Sequence, residues 1–158
     1  MNTTKLLETN DSWLLTAQRG ALALVMFPHG AQKLFGWFGG YGFRGTMGFL
    51  TGGAHLPSPV AFLVIAIESF GALALSMGAL TRVAALGIVA VMLGAILTVH
   101  LPSGFFMNWS GAQAGEGIEY HLLAIALALP LIVRGGGRWS VDGFIAKARG
   151  GLNEAIAR

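Results

Sequence analysis

The chain contains no cysteine and carries little charge. Without thiols it has no disulfide, no thiolate nucleophile, and no cysteine-ligated cluster or zinc ribbon. Charged residues make up 11% of its 158 residues, whereas soluble domains carry about 25%. Hydrophobic residues account for 54% of the chain. This length and this balance predict one domain whose solvent is lipid.

The basic residues are distributed along the chain, although they give it a net charge of +3. They flank apolar stretches, which is typical of membrane topology and does not indicate a nucleic-acid partner. Residues 1–11 mix Lys5 with Glu8 and Asp11 and have no cleavage-site pattern, so we expect no removable signal peptide. The first apolar stretch is then expected to remain in the lipid bilayer as an anchor.

Four apolar stretches each have close to the roughly 20 residues that a bilayer-spanning helix needs. We place these predicted spans at residues 13–35, 59–79, 81–101 and 119–134. The sequence therefore predicts an all-α fold, an integral membrane four-helix bundle, with residues 1–158 forming a single transmembrane domain. Residues 36–58 form a predicted outer loop, and residues 135–158 form a predicted tail with a short amphipathic segment.

Helix-end signals divide these stretches. Gly78 suits a helix end and Thr81 suits a helix start, which predicts a tight turn between the second and third spans. Ser140 is a candidate N-cap for the C-terminal segment. Lys147 and Arg149 lie beside the apolar face of that segment, which is typical of a helix lying on a membrane surface.

The distribution of basic residues predicts the orientation of the bundle. With four spans, both termini share one side with most of the basic residues: Lys5, Arg19, Arg82, Arg134, Arg138, Lys147, Arg149 and Arg158. Only Lys33 and Arg44 fall on the other side. Because basic residues favour the cytoplasmic side, we predict that both termini, and with them the tail, are cytoplasmic.

That orientation brings polar residues from all four spans to the outer half of the bundle. They are His29, Lys33, Glu68, His100, Glu119 and His121. Polar side chains at membrane depth are costly and usually face protein or a water-filled cavity. His29 and Lys33 are four residues apart and share a helix face. Pro28 cannot donate to the carbonyl of Leu24 and is expected to bend this helix.

Two of these positions have alternative interpretations. Lys33 either lines a polar pocket or extends to the lipid head groups. Glu68 either serves function or forms a structural pair with Arg19 or Arg82. A neutral, protonated Glu68 bonded to a backbone carbonyl is a third alternative.

Glu119 and His121 are two residues apart, which places them roughly 200° apart around a helix. We therefore expect only one of them to point inward, and we favour Glu119, with His121 at a helix–helix seam or on a second wall. The histidines and carboxylates lack the tight spacing of a helical metal site, and no thiol is present. The sequence thus predicts no metal site.

A pocket of mixed donors and acceptors in an apolar bundle suits a lipid-soluble molecule with carbonyl or hydroxyl groups, such as a quinone. In this hypothesis a nitrogen of His29 or Lys33 donates to an oxygen, and a carboxylate relays a proton. The candidate catalytic residues are His29, Glu68 and Glu119. The candidate cofactor-binding residues are His29, Lys33, Glu68, His100 and His121. Haem ligation by a histidine pair across the first and third spans is an alternative.

Several features occur together in one order along the chain. They are Arg19, His29-Gly30 with Lys33, Glu68, Gly78-x-x-Thr81-Arg82, His100 before Phe105-Phe106, Gly117-x-Glu119-Tyr120, and Gly137-Arg138-Trp139-Ser140-Val141-Asp142. In this order the chain resembles the DoxX family of small four-helix membrane proteins of bacteria. The resemblance implies a multi-pass protein of the bacterial inner (cell) membrane.

The resemblance also bears on function. Some relatives are subunits of thiosulfate:quinone oxidoreductase, and others are linked to quinone or oxidative-stress handling. Because cysteine is absent, this chain cannot carry a persulfide. We therefore favour a quinone-interacting redox subunit that works with a partner redox polypeptide or as a homo-oligomer. The alternative is a non-enzymatic membrane scaffold, or a protein that binds or transports a small solute or metal ion.

Overall fold

The computed structural model describes residues 6–156, with the backbone alone for residues 151–156. These residues form helices and connecting turns without any strand, which confirms the all-α prediction. The helices are α1 (Trp13–Phe35), α2 (Gly42–Gly48), α3 (Ser58–Met77), α4 (Thr81–Ser103), α5 (Glu119–Arg134) and α6 (Val141–Ile156). A short 3₁₀ turn, Trp37–Gly39, precedes α2, and a π-helical turn, Phe49–Gly53, follows it.

Helix α1 begins and ends at residues that satisfy its free backbone groups. The Ser12 hydroxyl accepts a hydrogen bond from the Leu15 amide, which is the usual role of an N-cap serine. Gly36 ends the helix in the left-handed conformation with φ of 76°, where glycine has no steric penalty. The helix continues past Pro28.

Helices α3 and α4 each contain a π-helical turn. The first, Ile67–Gly71, carries Glu68, and the second, Ile96–His100, carries His100. A π turn holds an extra residue and rotates everything beyond it relative to a regular helix, and such turns are frequent at functional sites. Both turns border the cavity described below.

The turn between α3 and α4 matches its predicted signals. Helix α3 ends at Met77, Gly78 has φ of 67°, and α4 starts at Thr81. The carboxylate of Asp142 accepts hydrogen bonds from the amides of Leu80 (2.7 Å) and Thr81 (2.8 Å). A negative charge there stabilises the positive end of the α4 dipole. Ser140 accepts a bond from the Gly143 amide, as its predicted capping role requires.

Arg19 fastens α1 to the end of α3 and to the segment before α6. Its side chain is buried and donates hydrogen bonds only to backbone carbonyls within the described chain. The acceptors are the carbonyl oxygens of Leu75, Ser76, Gly136, Arg138 and Trp139, at 2.6 to 3.5 Å. A planar guanidinium with five donors suits this arrangement.

Helices α1, α3, α4 and α5 share one apolar core, and their outer faces are also apolar. Fully buried side chains from the four helices meet in the core: Leu22, Met26, Leu75, Ile88 and Leu131. On the outside, Leu24, Leu97 and Val133 are each at least 70% exposed. Helices α3 and α4 are long and apolar enough to cross a membrane. Helix α5 has 16 residues, and α1 is interrupted by polar residues.

Candidate functional site

A cavity of about 510 Å³ lies between the core helices and the connection after α2. Most of its wall is apolar and comes from α3 and α4. The titratable side chains in its lining come from α1, α3, α4, α5 and the loop before α5, and they are His29, Lys33, Glu68, His100, Glu116, Tyr120 and His121. An apolar cavity of this size with a few polar groups is typical of a small-molecule site.

Lys33 and Glu68 form an ion pair on the wall of this cavity. The distance between Lys33 Nζ and Glu68 Oε2 is 2.6 Å, and the side chains are 27% and 6% exposed. A buried carboxylate needs a charged partner because desolvation of an isolated charge is costly. Neither Arg19 nor Arg82 supplies that partner, since their hydrogen-bond acceptors among the described residues are backbone carbonyls.

The ion pair depends on a close approach of α1 and α3 at Gly30. A Cβ atom added to Gly30 would lie 2.5 Å from the carbonyl oxygen of Glu68 and 2.6 Å from the Cα of Ser69. The Ser69 hydroxyl donates to the Gly30 carbonyl at 3.1 Å. This contact sets the rotation of α3 against α1 and brings Glu68 within reach of Lys33, one turn from Gly30.

Four rings form a row along the cavity from α1 through α5 to α4. The ring centroids of His29 and Tyr120 are 5.2 Å apart, those of Tyr120 and His121 5.4 Å, and those of His121 and His100 4.2 Å. The Tyr120 hydroxyl contacts the sulfur of Met26 at 3.4 Å. Sequence reasoning did not select Tyr120 as a site residue, although its position next to His121 at the entrance of α5 was a usable signal.

The two histidines at the end of this row differ in their partners. His100 Nδ1 lies 2.9 Å from the carbonyl oxygen of Glu116. His121 is buried, and its Nδ1 has no hydrogen-bond partner within residues 6–150. A buried ring nitrogen without a partner is unusual. Across the same residues, histidine and carboxylate side chains do not form a group of three or more that would hold a metal ion.

Glu119 does not line the cavity, contrary to the inward orientation that we expected. Its Oε1 accepts hydrogen bonds from the Met107 amide and from the Trp109 indole, each at 3.0 Å. The physical reason is competition for the inward face of α5, because two residues about 200° apart cannot both point inward. The loop offers donors to the Glu119 carboxylate, and His121 takes the cavity wall.

The protein is all-helical in its described part, and its mainly apolar cavity contains an ion pair and a row of rings. The family model for DoxX matches residues 14–101, more than half of the chain, and the chain belongs to the DoxX family. It is a membrane protein of that family. The matched range includes His29, Lys33, Glu68 and His100 and ends before α5.

One curated relative is similar over most of its length. It is the Bacillus subtilis (strain 168) protein named "Putative oxidoreductase CatD", which is 28% identical over 126 residues. The similar region covers 80% of this chain and 82% of that protein. No solved structure matches the chain.

Proposed function

We propose that this protein binds a quinone or quinol in the cavity and acts as a redox subunit of the bacterial inner membrane. The observation that carries this proposal is the Lys33–Glu68 ion pair, which lies on the wall of a cavity that is otherwise mainly apolar. The Bacillus subtilis relative is named as an oxidoreductase, which is consistent with redox chemistry.

In this proposal α1, α3, α4 and α5 form a four-helix bundle that spans the membrane. Helices α3 and α4 support it by their length and composition, and the exposed apolar side chains suit contact with lipid. Helix α5 would be about 24 Å long at 1.5 Å per residue, so the polar segment before it completes the crossing. The excess of basic residues on the side of the termini supports a cytoplasmic location for both of them.

The cavity offers both a donor and an acceptor to a quinone ring. The Lys33 ammonium donates to a carbonyl oxygen of the quinone, and the Glu68 carboxylate accepts from a hydroxyl of the quinol. His29 lies beside them on α1 and is a second donor or acceptor. Oxidation of a quinol releases two protons and two electrons. Glu68 and the neighbouring histidines would accept the protons, and an electron acceptor supplied by the partner redox polypeptide would take up the electrons.

Binding of ligand analogues to purified protein tests the proposal. We expect a soluble quinone analogue to quench intrinsic tryptophan fluorescence saturably and to raise the melting temperature. Lys33→Gln removes a charge-assisted hydrogen bond and is expected to weaken binding by about tenfold or more. Lys147→Gln is the matched control, because it removes a lysine on α6, away from the cavity.

Two results would contradict the proposal. One is unchanged fluorescence and melting temperature of the wild type at high analogue concentration. The other is equal weakening of binding by Lys33→Gln and Lys147→Gln, which would show that the ion pair has no specific role.

A metal-binding protein is the second candidate, because His100 and His121 are adjacent and His121 Nδ1 lacks a partner within the described chain. Metal analysis of protein purified without chelators separates the two candidates. A stoichiometric transition metal that is lost in His121→Phe would favour this second function. Metal at background level in both the wild type and His121→Phe would contradict this second function.

A further inference from the structure

Helices α3 and α4 are close together near their connecting turn and are separated by the cavity farther along. Gly87 on α4 lies against Ile67 on α3, where an added Cβ would be 3.1 Å from Ile67 Cγ2. Beyond this contact the two helices line the cavity from opposite sides. Their facing residues are Val60, Leu63, Val64 and Ile67 on α3, and Ala90, Val91, Gly94, Ala95 and Thr98 on α4. One side of the cavity thus lies between these two helices, beyond the point where they are in contact.

The edges of this gap are exposed on the outer surface of the molecule. Val60 and Leu63 on α3 and Ala90 and Thr98 on α4 line the cavity and are also exposed on the outer surface. Phe49 and Glu116, from the connecting segments, are exposed lining residues as well. Residues that belong to both the cavity wall and the outer surface mark its mouth. The mouth therefore includes the flank of the protein between α3 and α4, where its edges are apolar apart from Thr98, and it extends to Glu116 in the loop before α5.

The Lys33–Glu68 ion pair lies on the α1 side of the same cavity. Lys33 is mostly buried and Glu68 almost fully buried, and they lie on α1 and on the face of α3 that contacts α1. A molecule that enters between α3 and α4 meets apolar side chains first and the ion pair last. This order of surfaces fits a ligand with a polar head and an apolar tail.

We propose that the gap between α3 and α4 is a lateral portal through which the ligand enters from the bilayer, with its tail remaining between the two helices. The inference rests on the proposed function, because α3 and α4 face lipid only if both cross the membrane. It adds that the ligand carries an apolar chain and reaches the site from the lipid rather than from water. Irregular and polar surfaces at membrane depth are tolerated where protein encloses them.

Gly94 allows the portal to be blocked without disturbing the helices. It lines the cavity, and a Cβ added there has no heavy atom within 4 Å. Gly94→Phe therefore places a ring in the gap. Gly20→Phe is the matched control, since Gly20 also has open space around an added Cβ but lies on α1 away from the cavity. Ala90→Phe, at the mouth, is a second blocking variant.

The experiment compares two probes in lipid nanodiscs, a methoxy-substituted benzoquinone without a tail and the same ring with a decyl tail. Both are expected to bind the wild type. We expect Gly94→Phe and Ala90→Phe to weaken binding of the decyl compound by about tenfold or more. The tail-less compound should be affected by no more than about threefold, and Gly20→Phe should change neither. Melting temperatures of the ligand-free variants report whether each one folds.

Each outcome has one meaning. Selective loss of the decyl compound in a folded blocking variant supports the portal. Equal effects on the two compounds in every folded blocking variant, or no effect on either, overturn it while the proposed function stands. Failure of both compounds to bind the wild type overturns the proposed function itself.

Discussion

The Lys33 ammonium on α1 and the Glu68 carboxylate on α3 lie 2.6 Å apart on the wall of the cavity. Their positions are unequal, because the Glu68 side chain is almost fully buried and the Lys33 side chain is about one-quarter exposed. Removing one partner of a buried pair leaves the other charge uncompensated. The pair is therefore both the polar centre of the candidate site and a tie between two helices.

This difference in burial predicts different losses of stability for substitutions at Lys33 and at Glu68. Lys33→Gln leaves a buried carboxylate without its cation, and we expect it to lower the free energy of unfolding by about 3 kcal/mol. Glu68→Gln should cost less, because the Lys33 side chain can extend to water. The double variant should be more stable than the sum of the single effects predicts, by at least about 1 kcal/mol. Thermal unfolding in detergent measures all three, and strictly additive effects would contradict the pairing.

The close contact at Gly30 predicts that alanine substitutions at two glycines of α1, Gly30 and Gly20, change the stability in opposite directions. Gly30→Ala forces α1 away from the backbone of α3, and we expect a loss of about 1–3 kcal/mol in stability. It should also weaken analogue binding, because Lys33 and Glu68 move apart. Gly20→Ala has open space and should stabilise the protein by up to about 1 kcal/mol through reduced backbone entropy. Similar melting temperatures for both variants would show that the helices are not in close contact at Gly30.

The hydrogen bonds of Arg19 predict that its substitution lowers the stability of the protein. They lie at the end of the molecule opposite the cavity. Arg19→Gln removes the cation that several backbone carbonyls share, and we expect a loss of at least about 3 kcal/mol. Arg19→Lys should not restore stability, because an ammonium cannot replace a planar fork of donors. Arg44→Gln, at an exposed position, is the control. Limited proteolysis within residues 135–140 should increase only in the Arg19 variants, and protection there would contradict this role.

The ion pair between Asp11 and Arg138, which lies outside the helix bundle, predicts a small dependence of stability on pH. The hydrogen bond from Arg138 (2.6 Å) lowers the pKa of the Asp11 carboxyl below its ordinary value. Because the folded-state pKa is the lower one, this contribution to stability is present above the ordinary pKa of about 4 and is lost as the pH falls below it. The melting temperature of the wild type should exceed that of Asp11→Asn at pH 6, and the difference should shrink as the pH falls below the ordinary pKa of a carboxyl group and through the lowered pKa of Asp11. An unchanged difference at low pH would contradict this pairing.

The sequence predicted the helices well because their signals are local. The apolar stretches end at Gly36, at Gly78 and at the residues before Ser140. The helix bounds predicted from them lie within a few residues of those observed. The shared face of His29 and Lys33 followed from helical spacing alone. The residues that join the helices were also visible in part, since Gly78 and Thr81 carry their own end signals.

The partners of the polar residues could not be predicted in the same way. A structural pair with Arg19 or Arg82 was one of the alternatives for Glu68. The rotation of Glu68 is instead set by the Gly30 contact and by a π turn, which helical periodicity does not show. Glu119 accepts hydrogen bonds from an irregular loop, and only the tertiary structure fixes where those donors lie. Tyr120 was not selected as a site residue because its place at the start of α5 is equally typical of a helix-start feature, and its contacts with His29 and His121 are formed only in the folded bundle.

The central claim is that the cavity beside Lys33 and Glu68 holds the ring of a quinone. Photolabelling tests it most directly, with an azido-quinone bound to protein in nanodiscs and the labelled peptides identified by mass spectrometry. We predict saturable labelling on α1, α3 and α5 near Lys33, Glu68 and Tyr120, which excess unlabelled quinone suppresses and which is reduced in Lys33→Gln. Labelling confined to the lipid-facing surfaces of the helices, and unaffected by competitor, would contradict the claim.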